Sequence, residues 1–454
     1  MNTGGNMTEK ISNNINKIIY YSLLVCVLIY PISMFIKYTA LYLDFDNLFS
    51  FIDLLKCYWV ILPLQSFIYL FCLKKKIIKV NKFDYIIYIL IFTNIISCLF
   101  SVDYNSAIFG AVNRYEGLVA LLSYYLMFLN SRLLDKKDVN KLLDLIISVG
   151  IFNCLYAVLQ VIFKAPFVMK FRWFWMASGL NSNPNFFGTF MCTVGLLSVC
   201  MYLFNEKRKR FYFISSIVMM IGLVLAQSTG PLVGYFFGMF VLLIILYIKK
   251  IKVWKKFLKL GIALMITFFI SVYGTDYLFN NVYKYKDTDS YTIKGDIDRI
   301  IIYGCDLLGI DAKITKKKTH LISTDNITLN TISSNRFDIW KRTMPIIKDN
   351  WLVGVGIDNF GIAHNKYYGN NLTDKVHNVY LQILVTNGVI GLIPYMVWII
   401  MVLYCGYKNH SNNIIILLIP FIGYSFQAIF NISVIDVAPI FYILSGMIVG
   451  LKED

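Results

Sequence analysis

Residues 230–259 read GPLVGYFFGMFVLLIILYIKKIKVWKKFLK, nineteen residues without a charge and then six lysines within eleven positions. Rising ~1.5 Å per residue, an uncharged helix of that length crosses a hydrocarbon core of ~30 Å. Basic residues crowd the cytoplasmic ends of spans, so the lysine cluster places residues 249–259 inside and the start of the run outside.

The same alternation extends in both directions. Apolar runs occur at about 18–36, 51–73, 84–102, 117–131, 141–163, 185–204, 211–227, 230–248, 257–275, 388–406, 413–430 and 435–451, which predicts twelve spans. The gaps LKKKIIKVNK (73–82), SRLLDKKDVNK (131–141), NEKRKR (205–210) and KKIKVWKKFLK (249–259) carry the cations. All are alternate gaps and therefore cytoplasmic. Lys10 and Lys17 and the tail LKED then put both termini in the cytoplasm. The first run has no small-residue cleavage site after it, so it is expected to stay as a signal anchor.

Composition agrees. Of 454 residues 58% are hydrophobic and 15% charged, against roughly 25% charged in an average soluble domain. The net charge of +17 would suggest nucleic acid in a soluble protein. Here the cations sit in the inner loops, where they set topology and meet anionic lipid headgroups, and no nucleic-acid role is expected. All cysteines but Cys305 lie in or beside apolar runs, where a free thiol acts as a small apolar residue. The expected fold is an all-α polytopic membrane protein with about twelve transmembrane helices and one large extracytoplasmic loop. Its divisions are 1–275 (spans one to nine), 276–375 (the loop) and 376–454 (spans ten to twelve).

The first half of that loop shows little periodicity and reads as an irregular or strand-containing insertion. The second half is patterned. In SSNRFDIWKRTMPIIKDN, Phe337, Trp340, Met344 and Ile347 recur at helical spacing, with Ser333 or Ser334 as cap and Pro345 expected to kink or end the helix. The stripe is expected to lie on the membrane-facing core. WLVGVGIDNFG then reads as a glycine-rich turn.

HNVYLQILVTNGVIGL (377–392) follows. As one helix it would align His377, Leu381, Leu384 and Gly388 on a face, while Asn387, Gly388, Gly391 and Pro394 predict a broken or closely packed span. Histidine suits proton transfer near neutral pH, and it equally suits an interfacial cap. Outer arginines run against the positive-inside bias: Arg114 in AVNRYEGL, Arg172 in KFRWFWMASGL, Arg299, Arg336 and Arg342. Each guanidinium can bind phosphate through two parallel donors, or simply be solvated, with Glu116 as the local partner of Arg114. NSNPNFFG (181–188) reads as a turn with Pro184 in the first turn of the next helix, and QSTGPLVG (227–234) as a tight outer turn. No HExxH or GxxxxGK[ST] pattern occurs and the DTD at 287–289 has no clear partners, so no metal, no cofactor and no ATP hydrolysis are expected.

The ordered set of Arg336 on a loop helix, Gly354 to Phe360, and His377 to Gly388 resembles the O-antigen ligase and polymerase superfamily of bacterial membrane glycosyltransferases. NRYEGL, SNPNFFG and the twelve-span layout extend that resemblance over most of the chain. It implies metal-independent transfer of a glycan from an undecaprenyl-pyrophosphate donor to a glycan, lipid or protein acceptor at the outer face of the bacterial inner membrane. It implies His377 as proton acceptor or pyrophosphate-orienting group, with Arg336, Arg114, Arg172 and Asn378 as substrate-binding residues. One departure stands out: Thr229 follows Ser228 where the family has an SRG-type arginine, a charge that Arg114 or Arg172 is expected to supply. Ligase and polymerase both remain open, as do a transporter or flippase of lipid-linked saccharides and a non-enzymatic scaffold.

Overall fold

The computed structural model describes residues 3–42, 61–78, 80–112, 114–163, 176–181, 183–284, 292–307, 335–369, 373–409 and 411–451. They are helical, with no strand among the described residues. Seven helices among them are long and apolar enough to cross a membrane: Asn14–Ile36 within α1 (Thr3–Tyr42), α3 (Lys82–Leu99), α6 (Lys136–Phe163), α7 (Pro184–Phe204), α9 (Thr229–Ile248), α10 (Trp254–Tyr277, continued to Val282) and α14 (Val379–Lys408). Shorter apolar helices are α2 (Ile61–Lys74), α5 (Leu118–Ser131), α15 (Asn412–Gln427) and α16 (Ala438–Gly450). The remaining helices are α4 (Tyr104–Phe109), α8 (Lys209–Leu225), α11 (Ile293–Leu307), α12 (Arg336–Asp349) and α13 (Phe360–Tyr368).

Local chemistry sets many of the ends. Asn81 caps α3 with a reciprocal pair of bonds to the first turn. Asn183 caps α7 with Pro184 in the first turn, the arrangement NSNPNFFG predicts. The chain forms two compact units, residues 1–149 with 343–454, and residues 150–342. In the first, α5 packs on α16 and α2, and α3 packs on α14. Asp84 and Arg132, both nearly inaccessible, form a two-point ion pair at 2.7 and 2.9 Å there. In the second, α7 is buried along its length between α8 and α9.

Three local expectations change. The insertion expected to be irregular or strand-containing includes a helix at Ile293–Leu307, started by Thr292, whose hydroxyl accepts from the Gly295 N–H. Pro345 does not end α12, which runs on to Asp349. On α12 the buried residues are Thr343 and Ile346, whereas Phe337 and Met344 are exposed. The proposed caps Ser333 and Ser334 lie outside the described residues.

The decisive feature of the first unit is a break in α14. Gly388 has φ +64°, so the bonds from the 389 and 390 amides back to the 385 and 386 carbonyls do not form. The turn 351–356 replaces both sides of both bonds. Val355 N–H donates to Val385 O and Gly356 N–H to Thr386 O, each at 2.9 Å, while Val389 N–H donates to Trp351 O at 2.9 Å and Ile390 N–H to Leu352 O at 3.4 Å. Backbone groups in an apolar interior must be paired, so loop and break require each other. A Cβ on Gly388 would sit 2.0 Å from Leu352 O, and one on Gly354 would sit 2.2 Å from the Thr386 carbonyl carbon.

Candidate functional site

Three loops meet above this break within the first unit. The turn that fills the break continues into Asp358 and Asn359. Asn359 bonds the 103 backbone in both directions, at 2.8 and 3.1 Å, which ties the turn to the end of α3. Asp358 accepts from the Ala111 N–H at 2.7 Å. Beside it lies the NRYEGL loop, and opposite lies the segment Thr373 to Asn378 leading into α14.

Lys375 joins all three. Its ammonium is 2.7 Å from Asp358 and 3.4 Å from Glu116, and the three residues are only 3%, 5% and 6% exposed. Burial opposes the charge on Lys375, but Asp358 and Glu116 together outweigh it and hold its pKa above the ordinary value. Burial pushes the Glu116 carboxyl up, against the pull of Lys375 and of the Ser433 hydroxyl, which donates to it at 2.6 Å. Tyr115, Asp358 and His377 all have left-handed backbones, with φ of 54°, 54° and 57°. Non-glycine residues hold that conformation only where surrounding contacts enforce it, at a cost of order 1–3 kcal/mol each.

His377 is therefore not on the face of a helix. It is a half-buried loop residue that precedes the cap of α14, so the expected alignment with Leu381, Leu384 and Gly388 is corrected. Its neighbours are fastened: Val376 N–H donates to Gln382 Oε1 at 2.9 Å, and the Asn378 side chain accepts from the Leu381 N–H at 3.0 Å. The Asn378 carboxamide oxygen thus serves the cap. Arg114 reaches the same loop. Its guanidinium makes a two-point contact with Asp374 at 2.5 and 3.0 Å, and Glu116, the expected local partner, pairs instead with Lys375. Burial raises and Arg114 lowers the Asp374 pKa, and the net result lies below the usual carboxylate value.

Beside the ion cluster is a cavity of about 70 Å³ lined by Glu116, Asp358 and Lys375, by Asn94, Gln382, Thr386 and Asn387, and by Tyr125, Tyr395 and Tyr442. Asn387 donates to Asn94 at 2.6 Å and Asn94 to the Tyr125 hydroxyl at 2.7 Å, so the polar wall is internally bonded.

A second charged cluster belongs to the second unit. The Thr229 hydroxyl donates to Asp296 of α11, whose other oxygen is held by Arg299. Arg336 is half-buried; burial lowers its pKa and the charge of Asp296 partly offsets this. Asp296 thus faces two guanidiniums. Ser228 donates to Asn185 at 2.6 Å, linking the outer turn to the NPNFFG segment.

Arg114, His377 and Asn378 thus share the first unit, Arg336 belongs to the second, and Arg172 lies outside the described residues. The partners Asp358, Asp374 and Lys375 were not singled out from sequence, since acids and lysines in a loop read as solvated charge. Among the described residues no group of three or more His, Cys, Asp or Glu is placed to hold a metal.

Residues 214–396 match the family model described as O-antigen ligase, a stretch that holds both Arg336 and His377 and supports the O-antigen ligase and polymerase superfamily. No curated protein matches the chain.

Proposed function

We propose that this chain is a polytopic membrane glycosyltransferase that moves a glycan from an undecaprenyl-pyrophosphate donor to an acceptor hydroxyl at the outer face of the bacterial cytoplasmic membrane. The carrying observation is His377, held left-handed on a loop fastened at Asp374, Lys375, Val376 and Asn378, inside the matched stretch. This reading takes twelve spans with both termini cytoplasmic and residues 276–375 outside.

In the transfer, the acceptor oxygen attacks the anomeric carbon and the bond from that carbon to the pyrophosphate oxygen breaks. The electron pair leaves with the lipid pyrophosphate, and the acceptor proton passes to His377. A base so placed contributes about 10²- to 10⁴-fold. Arg336 neutralises the departing pyrophosphate, and Arg299, anchored beside Thr229 through Asp296, supplies the charge that Thr229 does not. Arg172 is assigned to the donor on charge alone. Arg114 and Asn378 act on the substrate through the loop they hold. Ligase and polymerase differ only in the acceptor.

The test is transfer by the purified full chain from lipid-linked glycan. His377→Ala should lower turnover at least about a hundredfold with the thermal midpoint kept; unchanged turnover removes this mechanism. The break in α14 favours one rival, a transporter of the same saccharides, since broken helices build transport sites. Transfer in detergent, where no second compartment exists, separates the two.

A further inference from the structure

Large apolar side chains stand exposed on two neighbouring loops of the first unit. Phe100, Tyr104 and Phe109, just beyond the end of α3, are 65%, 59% and 50% exposed, and Trp351 and Leu352, in the turn that fills the break in α14, are 56% and 47% exposed. The two loops form one surface: Val102 N–H donates to Val355 O at 3.0 Å, and Asn359 bonds the 103 backbone in both directions. Apolar groups gathered in this way on bonded segments mark a contact surface. Its height identifies what covers it. Ile393, Val397, Ile400 and Tyr404 of α14 are exposed at helical spacing, the pattern of a lipid-facing stripe. One turn above Ile393, Val389 N–H donates to Trp351 O, so the Trp351 backbone closes the top of that stripe. From Lys408, the basic end of α14, back to Gly388 the rise of ~1.5 Å per residue spans the ~30 Å of a hydrocarbon core. The turn therefore stands at the outer edge of the hydrocarbon, where tryptophan and tyrosine are enriched.

We propose that this surface is seated in the outer leaflet, with Phe100, Tyr104, Phe109, Trp351 and Leu352 at the boundary between headgroups and acyl chains and phospholipid as their partner. The inference rests on the topology of the proposed function and adds to it a contact that sets the height of the site. The side chains suit that boundary: phenylalanine and leucine enter the acyl region, while tryptophan and tyrosine bury a ring and keep a polar group toward the headgroups. On the short helix α4, Ala107 is buried while Tyr104 and Phe109 are exposed, so α4 turns its apolar edge outward. Asp358 and Asn359 follow the turn directly. Through Asp358, which holds the Ala111 N–H and Lys375, the seat in the lipid is tied to the segment that carries His377.

The experiment is tryptophan fluorescence of the full chain in phosphatidylcholine vesicles whose lipids are brominated either near the glycerol end or near the methyl end of the acyl chain. Trp351→Phe is measured beside the wild type, so the difference reports Trp351 alone among the seven tryptophans. Bromine near the glycerol end should remove most of the difference emission, bromine near the methyl end less, and acrylamide in the water less again. Tyr104→Trp places a reporter on the second loop and should show the same order; compared with the wild type, it reports even where Trp351→Phe fails to fold. Quenching by acrylamide with none by bromine would put the surface in water, and quenching by neither would mean that protein covers it, as a second copy would. Either result overturns the lipid seat, as does quenching that is strongest near the methyl end. His377→Ala should abolish transfer while the quenching order stays. If transfer survives His377→Ala and the order holds, the transfer mechanism fails and the lipid seat stands. If the reverse holds, the lipid seat alone fails.

Discussion

The two charged clusters invert each other. In the first unit one buried lysine sits between two carboxylates, and in the second one carboxylate serves Arg299 and Arg336. The first is walled by amides and hydroxyls that bond one another. In the second, guanidiniums outnumber the carboxylate they share. Burial makes the sign matter, because an uncompensated charge away from water is expensive and a ligand of the opposite sign relieves it.

Breaking the first cluster should have the largest effect. Lys375→Met leaves Glu116 and Asp358 facing each other without a cation and should cost about 3–5 kcal/mol, read as a lowered thermal midpoint. Adding Glu116→Gln should recover part of that loss, and strict additivity in this double-mutant cycle would deny the coupling. In the second cluster Arg336→Ala should cost about 2.7–4 kcal/mol of transition-state stabilisation, seen as turnover. An Arg336→Ala protein that turns over normally but melts early would make that residue structural. The scaffold of the first cluster is tested by Gly388→Ala, where strain and the close Leu352 carbonyl should remove about 2–4 kcal/mol of stability.

The smallest effect is expected at the edge of the first cluster. Arg114→Ala removes a partly exposed pair and should cost at most ~1 kcal/mol. Its signature is pH dependence. Since Arg114 helps hold the folded Asp374 pKa below 3.8, the pair's contribution is present above that value and fades as pH falls through the lower folded one. Wild-type and Arg114→Ala stability curves should therefore converge in acid; a constant gap down to the lowest pH would place the effect elsewhere.

Legibility from sequence followed the range of the interactions. Asn387, Gly388, Gly391 and Pro394 announce a break because they act on their own backbone, and Asn183 with Pro184 announces a helix start for the same reason. What fills the break did not show, because Trp351 to Gly356 meet it through four backbone bonds that carry no side-chain signature. Arg114 illustrates the same limit. Glu116 is two residues away and was the expected partner, yet Asp374, 260 residues away in sequence, takes the pair. The loop helix α11 was missed because a short amphipathic stretch among polar residues resembles an irregular segment.

The sequence by itself determined that this chain is a helical membrane protein, since the length of uncharged runs is a property of consecutive residues and water excludes them wherever they lie. It also marked His377 and Arg336 as the residues to explain. Only the tertiary structure decided that His377 stands off the helix in a left-handed turn, and that glycines 354 and 388 serve a backbone junction rather than a ligand. It also decided that the glutamate of NRYEGL belongs to a buried lysine. The physical reason is common to all three: these features satisfy backbone or charge that folding removes from water, and the partner can come from anywhere along the chain.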